Sequence, residues 1–220
     1  MWLKCFTIIK VEIRPIIFEG KHVRLEPLST AHGGALLAAA SDGELWNSNV
    51  TIIPSPHTIT DYIQAALDGQ AQGRELPFVI IRKSEAEAPP SRRAQEGRSE
   101  IAGTTRFYEI RVHDRAAAIG YTWLAKSAQR TAVNTESKLL LLSHAFETWK
   151  CVRVELITDV LNEQSRAAIL RLGAKQEGIL RKHLILPNGR MRDSVIFSII
   201  DVEWSEIKAR LVAKLADGRP

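Results

Sequence analysis

Strand-like and helix-like patterns follow one another in a mixed order along this chain of 220 residues, and that order limits the fold more than any other feature. Residues 179–186 and 191–200 flank Asn188–Gly189, a strong short-range signal for a β-hairpin. Apolar–polar alternation and turn signals predict further strands at residues 22–28, 77–81, 101–108, 116–124 and 153–158. Helical spacing and capping signals predict helices at residues 31–40, 58–71, 134–150, 162–173 and 204–211. The mixed order predicts one α+β domain, an α/β three-layer sandwich with a mostly antiparallel sheet.

The composition is that of an ordinary globular protein, with 45% hydrophobic residues. A formal net charge of +5 suits an acidic ligand or partner, without distinguishing a nucleotide from a nucleic acid or an anionic peptide. No block of lysine and arginine is long enough for a nucleic-acid-binding arm, so we expect no nucleic-acid partner. Cys5 and Cys151 lie far apart, which fits a reducing compartment, and no metal-ligand spacing is present, so we expect no metal.

The predicted domain has distinct segments at its ends and in one loop. Residues 1–17 are apolar but interrupted by charges, which makes a poor signal peptide and predicts an N-terminal extension or an extra strand. No run approaches the roughly 20 apolar residues of a membrane span, so we expect a cytoplasmic protein without a membrane partner. A single domain is predicted over residues 18–216, with a flexible polar loop at 83–100 and a tail at 217–220.

The turn between the strand 116–124 and the next helix has the composition of a phosphate site. A helix N-terminus presents unpaired backbone N–H groups and the positive end of the helix dipole. Lys126 and Arg130 add positive charge there, and Thr131 and Thr135 add hydroxyl donors. Together these features favour anion binding. An ordinary polar connection between a strand and a helix is the alternative interpretation.

The start of the helix at 162–173 supplies a second candidate site. Asn162 is a suitable N-cap, and Gly173 is a suitable C-terminal stop. Ser165 shares the inward stripe of this helix with Ile169 and Leu172, so its hydroxyl is sheltered and needs a partner. A buried serine whose hydrogen bonds are satisfied within the core is the alternative interpretation.

Four segments together resemble the GCN5-related N-acetyltransferase (GNAT) superfamily, and in particular its bacterial RimJ/RimL-type branch. They read IGYTWL, QRTAVNTESKLLLLSHAFE, VELITDVLNEQSRAAILRLGAKQEGILRKH and NGRMRDSVIFSII. The resemblance covers residues 22–211, and LNEQSRAAILRLGAKQEGILR is its most specific part. It implies a GNAT fold with splayed central strands, acetyl-CoA as co-substrate, an amine acceptor, and the homodimer that is common in this branch.

The resemblance also implies which residues hold acetyl-CoA. The pantetheine arm would insert between the two splayed strands and pair with the backbone near Trp123 and Leu124. Asn162 corresponds to the family's asparagine beside the pantetheine, and Ser165 corresponds to the hydroxyl that protonates the leaving thiolate. The pyrophosphate turn and the remaining cofactor positions are Gln129, Arg130, Thr131, Ala132, Val133, Asn134, Thr135 and Arg166.

The pyrophosphate turn departs from the family pattern at two positions. Ala132 stands where the family has its first glycine, and Asn134 stands at the position of a small residue. Glycine is usual there because the backbone must approach phosphate without an intervening Cβ. Alanine is the smallest alternative, and the Arg130 guanidinium supplies charge in partial compensation.

The residue that removes the acceptor's proton is not determined by the pattern. His183 is one candidate because an imidazole titrates near neutral pH, and Glu155 on the strand beside the cofactor is the other. An ordinary strand histidine and a solvated strand carboxylate are the respective alternatives. Trp46 and Tyr108, with Trp123, are candidates to line the acceptor pocket, and core packing is the alternative for each.

These observations predict an N-acyltransferase that moves an acetyl group from acetyl-CoA to a primary amine by direct attack. A peptide N-terminus and a small-molecule amine both remain open as acceptors. The first alternative is a CoA-binding module without catalysis, which the altered turn favours. An RNA- or ribosome-binding protein is the second alternative and ranks last, because no aromatics are interleaved on a basic strand face.

Overall fold

The computed structural model describes residues 13–83 and 100–217, which form one eight-stranded sheet and five helices. The strands are β1 (Phe18–Glu19), β2 (Val23–Pro27), β3 (Leu76–Arg82), β4 (Glu100–Arg111), β5 (Ala116–Leu124), β6 (Arg153–Asp159), β7 (Lys175–Ile185) and β8 (Met191–Ile200). The helices are α1 (Gly33–Ser41), α2 (Ile59–Ala71), α3 (Ala132–Ser143), α4 (Glu163–Leu172) and α5 (Asp201–Ala216). None of these helices is long and apolar enough to cross a bilayer.

The sheet is mixed, in the order β1-β2-β3-β4-β5-β6-β8-β7, and only the β5–β6 pair is parallel. Helices cover both faces. Tyr62 of α2 hydrogen-bonds Thr104, and Lys138 of α3 hydrogen-bonds Thr105, an adjacent β4 residue that points to the opposite face. The arrangement confirms the predicted α+β three-layer fold, and the short β1 is the one element added to the predicted order.

The start of one helix differs from the prediction, and several of the predicted end and loop segments fall outside the described residues. The helix predicted from residue 134 begins at Ala132, because Thr131 is extended and its Oγ1 accepts the Val133 N–H at 3.3 Å. Asn134 is therefore not the N-cap but a first-turn residue. Residues 13–17 contain no strand, while residues 1–12, residues 84–99 of the predicted loop and residues 218–220 of the predicted tail lie outside the described residues.

The apolar stripe of α3 packs against the sheet and α5 as its spacing predicts. Leu142, Phe146 and Trp149 are all buried, the last two in and just after a π-helical turn that extends α3. The Trp149 ring lies 4.6 Å from that of Phe107 on β4, and Phe146 stacks on Trp204 of α5. Each such side chain contributes roughly 1.5–3 kcal/mol when fully buried, so this stripe fixes α3 on the sheet.

A buried carboxylate ties α3 to the edge of the sheet. Glu136 is 6% exposed, and its oxygens accept the backbone N–H groups of Lys21, His22 and Val23 at 2.6–2.8 Å. Hydrogen bonds to a charged acceptor are the strong kind, so this contact holds the β1–β2 turn and α3 in a defined relation.

The central strands β5 and β6 pair over only three residues, Ala116–Ala118 against Arg153–Glu155. Beyond this point β5 continues to Leu124 and β6 to Asp159 with no ladder between them. The two strands remain bonded to β4 and β8 on their outer sides. The sheet is therefore split at its centre, as the family resemblance implies.

A bulge shapes the strand beside this split. Thr104 pairs with Trp123 and Arg106 with Gly120, so Tyr121 and Thr122 together face Thr105. Tyr121 adopts the left-handed region at φ 49°, which is typical of the extra residue in a bulge. The bulge bends the end of β5 away from the course it would follow beside β6.

The bulge also brings the β4 backbone unusually close to β5 at Gly103, where an added Cβ would overlap the Trp123 carbonyl oxygen. We expect Gly103→Ala to lower the free energy of unfolding by roughly 3 kcal/mol, through overpacking and backbone strain. Gly34→Ala on α1 is the control, because its Cβ meets nothing within 4 Å. That substitution should add up to about 1 kcal/mol of helix stability. Equal effects of the two changes in urea denaturation would contradict the close approach.

Candidate active site

A cleft of about 1400 Å³ opens where β5 and β6 part. Its walls come from residues 119–124 of β5, residues 156–158 of β6, one face of α4, the start of α3 and the end of β7. The loop at residues 48–53 and parts of β4 line its other end. The volume exceeds the roughly 300–1,000 Å³ of ordinary small-molecule pockets, so the cleft has room for an extended ligand.

Cationic side chains outnumber carboxylates along the cleft. The cations are Arg74, Arg111, Arg130, Arg171, Arg192 and Lys214, and the carboxylates are Glu75, Glu109 and Glu163. An excess of positive charge in a concave site raises the local concentration of anionic ligands.

The turn before α3 lies at the cleft, with Gln129, Arg130, Thr131, Asn134 and Thr135 in its lining. Arg130 adopts φ 60°, a left-handed conformation that costs a residue with a Cβ roughly 1–3 kcal/mol. Its guanidinium is exposed next to the positive end of the α3 dipole. The turn thus combines backbone donors with an exposed positive charge, and both favour anion binding.

The Gln129 side chain braces this turn within the protein. Its Nε2 donates to the Leu124 carbonyl at 2.9 Å, and its Oε1 accepts from Gln164 Nε2 of α4 at 3.2 Å. The amide therefore joins the end of β5 to the start of α4. Gln129 can therefore bind a ligand through its backbone. Binding through its side chain would require these two hydrogen bonds to break.

The family's glycine position does not need glycine for its backbone conformation in this chain. Ala132 is the first residue of α3, and the left-handed residue of the turn is Arg130 instead. The Val133 side chain is buried in the core, 2% exposed. Val133 can therefore meet a ligand only through its backbone. The two departures from the family pattern are the Ala132 methyl group and the Asn134 side chain, and Asn134 lines the cleft.

The start of α4 places Asn162 and Ser165 side by side in the cleft. Asn162 is the N-cap, and its Oδ1 accepts the Ser165 N–H at 2.9 Å. Among the described residues, the Asn162 Nδ2 and the Ser165 hydroxyl have no hydrogen-bond partner. The cap thus fixes both residues and leaves the Asn162 amide N–H groups and the Ser165 hydroxyl available to a ligand in the cleft.

His183 lines the cleft from β7, where the strand is irregular. The adjacent Lys182 adopts φ 49°, and its backbone N–H donates to Asp193 Oδ1 at 2.6 Å. The His183 Nδ1 lies 3.0 Å from the Ser194 hydroxyl on β8. One ring nitrogen is thus held by the sheet, and the other has no hydrogen-bond partner among the described residues.

Aromatic rings line the far end of the cleft. Tyr108 packs edge-on against Tyr121 with ring centroids 5.3 Å apart, and the Arg106 guanidinium lies 3.9 Å from the Tyr121 centroid. Arg106 in turn forms an ion pair with Glu75 at 2.6 Å. Burial, with a smaller effect of Glu109, raises the pKa of Tyr108, so its phenol stays a hydrogen-bond donor at neutral pH.

Five predicted site residues lie outside the cleft lining: Trp46, Ala132, Val133, Glu155 and Arg166. Glu155 accepts from Arg111 at 2.7 Å and from Arg153 at 2.9 Å, so its carboxylate is engaged by two guanidiniums within the protein. The Arg166 guanidinium donates to the Val160 carbonyl and so closes the loop before α4. Trp46 packs against the core, and the loop that follows it lines the cleft instead.

Sequence reasoning missed Lys138, which lines the cleft from α3. Burial lowers its pKa to about 7. A signal was present, because Lys138 precedes Leu142 by four residues and Trp149 by eleven, which puts a lysine on the apolar stripe of α3. A charge on the buried face of a helix is an uncommon placement that needs an explanation.

Known families and proteins share this architecture. Residues 22–175, more than half of the chain, match the family model described as Acetyltransferase (GNAT) domain. YdaF of Bacillus subtilis, named as a candidate ribosomal N-acetyltransferase, is 34% identical over 104 residues. That match covers 47% of this chain and 56% of YdaF, so the chain spans little more than half the length of this curated relative.

Solved structures match over more of the chain. A candidate acetyltransferase from T. thermophilus is 35% identical with a TM-score of 0.73, covering 92% of this chain and 98% of that one. A GCN5-related N-acetyltransferase from Brucella melitensis is 29% identical with a TM-score of 0.76, covering 94% and 87%. Both agree with the resemblance drawn from the sequence segments.

The capping role of Asn162 can be separated from any role in binding. Asn162→Ala should lower the free energy of unfolding by about 1 kcal/mol, because α4 loses its capping oxygen. Asn162→Asp keeps a capping oxygen and should change stability little. Urea denaturation of the two variants measures the difference, and an equal loss in both would contradict capping.

Proposed function

The chain belongs to the GNAT acetyltransferase family, and on this premise we propose that it transfers an acetyl group from acetyl-CoA to a primary amine by direct attack in a ternary complex. The observation that carries the proposal is the split between β5 and β6, which joins an anion-binding helix N-terminus to an aromatic pocket in one cleft. Such a cleft holds a long anionic donor at one end and an acceptor at the other.

The residues of the cleft fit acetyl-CoA. The α3 N-terminus and Arg130 would hold the pyrophosphate. The inner edge of β5 near Trp123 and Leu124 is not paired with β6, so it offers backbone groups to the pantetheine amides, apart from the Leu124 carbonyl, which accepts from Gln129. The free amide donor of Asn162 lies on the facing wall. The Ala132 methyl group and the Asn134 side chain are the two departures from the family pattern, and Ala132 is the first residue of α3.

The proposed chemistry uses backbone and hydroxyl groups of this chain. A neutral acceptor amine attacks the thioester carbon, and a backbone N–H near Trp123 stabilises the oxyanion that forms. The carbon–sulfur bond then breaks. The Ser165 hydroxyl donates its proton to the departing thiolate and recovers one from the amide nitrogen. The acceptor ammonium must lose a proton to a base of the cleft before attack, and His183 is the cleft residue predicted from the sequence for this step.

We favour a peptide N-terminus over a small-molecule amine as acceptor. The acceptor end of the cleft is lined by the loop at residues 48–53 and by Tyr108, and Ile52 of that loop is 49% exposed, so this end borders solvent. The name of YdaF points to a ribosomal-protein acceptor for that relative. An α-amine also has a pKa of roughly 8, so it loses its proton near neutral pH more easily than a lysine side chain.

Ser165→Ala should lower kcat roughly 100-fold, because the thiolate then leaves without its proton donor. Acetyl-CoA binding should stay near the wild-type level, since the cap geometry of α4 does not use the hydroxyl. Ser205→Ala on the exposed face of α5 is the matched control and should retain full activity. Thiol release measures kcat, and an unchanged kcat in Ser165→Ala would remove Ser165 from the mechanism.

Thermal-shift titration with acetyl-CoA tests the binding site directly. The wild type should be stabilised in a concentration-dependent way. Asn162→Asp should show a smaller shift, because it keeps the cap but loses the amide donor. A thiol-release assay over peptides and small amines then tests transfer. Stabilisation without thiol release from any amine would support the alternative of a CoA-binding module without catalysis.

A further inference from the structure

Lys138 is a buried lysine without a carboxylate partner. It is 5% exposed, and no described residue forms an ion pair with it. Burying an ammonium in such surroundings disfavours the charged form, so the side chain is poised to be a neutral amine. Burying an amine without a counter-ion costs folding free energy, which suggests that the side chain has a functional role.

Two threonine hydroxyls hold the Lys138 nitrogen. Its Nζ lies 2.6 Å from Thr122 Oγ1 and 3.1 Å from Thr105 Oγ1, and the two hydroxyls lie 2.9 Å from each other. Thr122 belongs to the β5 bulge and precedes Trp123, beside which the thioester would lie. Thr122 is only half-buried and lines the cleft, so its hydroxyl is the more accessible end of the pair.

Neighbouring charged side chains do not account for the lowered pKa of Lys138. Charged or titratable side chains on the elements that surround Lys138 include Glu136 on α3, Arg106, Tyr108, Glu109 and Arg111 on β4, Tyr121 on β5, Glu163 and Arg171 on α4, and Lys214 on α5. Glu136 is bound to the β1–β2 backbone, and Arg106 is paired with Glu75. The fall in the Lys138 pKa comes from burial, with no contribution from a neighbouring charge.

We infer that Lys138, through the hydroxyl of Thr122, takes the proton that the acceptor ammonium must lose before it attacks. The inference rests on the proposed acetyl transfer. The ammonium N–H gives its proton to Thr122 Oγ1 while the Thr122 proton passes to the Nζ lone pair. The acceptor becomes a neutral amine and Lys138 becomes an ammonium, which releases the proton to solvent between turnovers. The thiolate receives the second proton by way of Ser165.

The energetics of this step suit an α-amine. Lys138, with a pKa of about 7, and an α-amine, with a pKa of roughly 8, exchange a proton at small cost. A lysine side chain of the acceptor, with a pKa of about 10.4, holds its proton far more tightly. The same residue would therefore favour peptide N-termini over lysine side chains.

The test is the pH dependence of kcat in the thiol-release assay, with acetyl-CoA and the fastest peptide acceptor of the panel both saturating. The wild-type kcat should rise with pH through a single ionisation near neutrality. Lys138→Met should lower kcat on the order of 100-fold and remove that ionisation. Lys138→Arg should do the same, because a guanidinium stays charged. Lys208→Met, an exposed lysine on α5, is the control and should keep the wild-type profile.

Thr122 provides an independent arm that does not alter the buried lysine. Thr122→Val keeps the side-chain shape but removes the hydroxyl, so the rise of kcat with pH near neutrality should disappear. Thr122→Ser keeps the hydroxyl, so that rise should be retained. If thermal melting shows that the Lys138 variants do not fold, the comparison of Thr122→Val with Thr122→Ser tests the inference instead. If folded Lys138→Met or Thr122→Val shows the wild-type rise of kcat with pH, the inference is overturned while the proposed acetyl transfer stands. If the wild type releases no thiol with any amine, the proposed function and this inference fall together.

Discussion

The three-residue parallel pairing of β5 and β6 is the constraint on which the rest of the structure depends. It joins the two halves of the sheet at Ala116–Ala118 and then ends, so the remaining halves of both strands diverge. Each strand keeps its outer partner, and the sheet therefore stays whole while its centre opens. The bulge at Tyr121 and the close approach at Gly103 set the course of β5 along this opening. A full ladder would satisfy the backbone groups internally and leave no place for a ligand to pair with them.

Helix α3 serves both the fold and the cleft. Its apolar stripe packs on the sheet, and Glu136 binds the β1–β2 turn, so the position of the helix is determined at several points. Its N-terminus is consequently held at the mouth of the cleft rather than left to a mobile loop. Lys138 lies on the same buried stripe, which explains how a fold-stabilising helix also carries a nitrogen to the centre of the split. A site carried by a well-packed helix keeps its geometry better than one built on loops.

The two ends of the cleft differ in physical character. The α3 end offers backbone donors, the α3 dipole and the Arg130 charge, all suited to phosphate. The other end offers the Tyr108 and Tyr121 rings over the Arg106–Glu75 pair, where burial keeps the Tyr108 phenol protonated. Asn162 and Ser165 lie on the wall of α4 that faces this divided cleft. The chemistry proposed for the chain uses this division, because a thioester must meet an amine between an anionic tail and an apolar pocket.

Local patterns determined the elements of this protein, since alternation, helical spacing, the Asn162 cap and the Asn188–Gly189 turn each act over a few residues. The segment from Asn162 to Gly173 also identified the family without a structure. The packing of the chain decided which predicted residues meet. It brought Ser165, His183 and Tyr108 to one cleft and left Glu155 held by two arginines. It also moved the helix cap from Asn134 to Thr131. Lys138 was predictable only in part, because a lysine on an apolar stripe shows burial but not its partners. Those partners are Thr105 on β4 and Thr122 on β5, and only long-range packing brings them to Lys138 on α3.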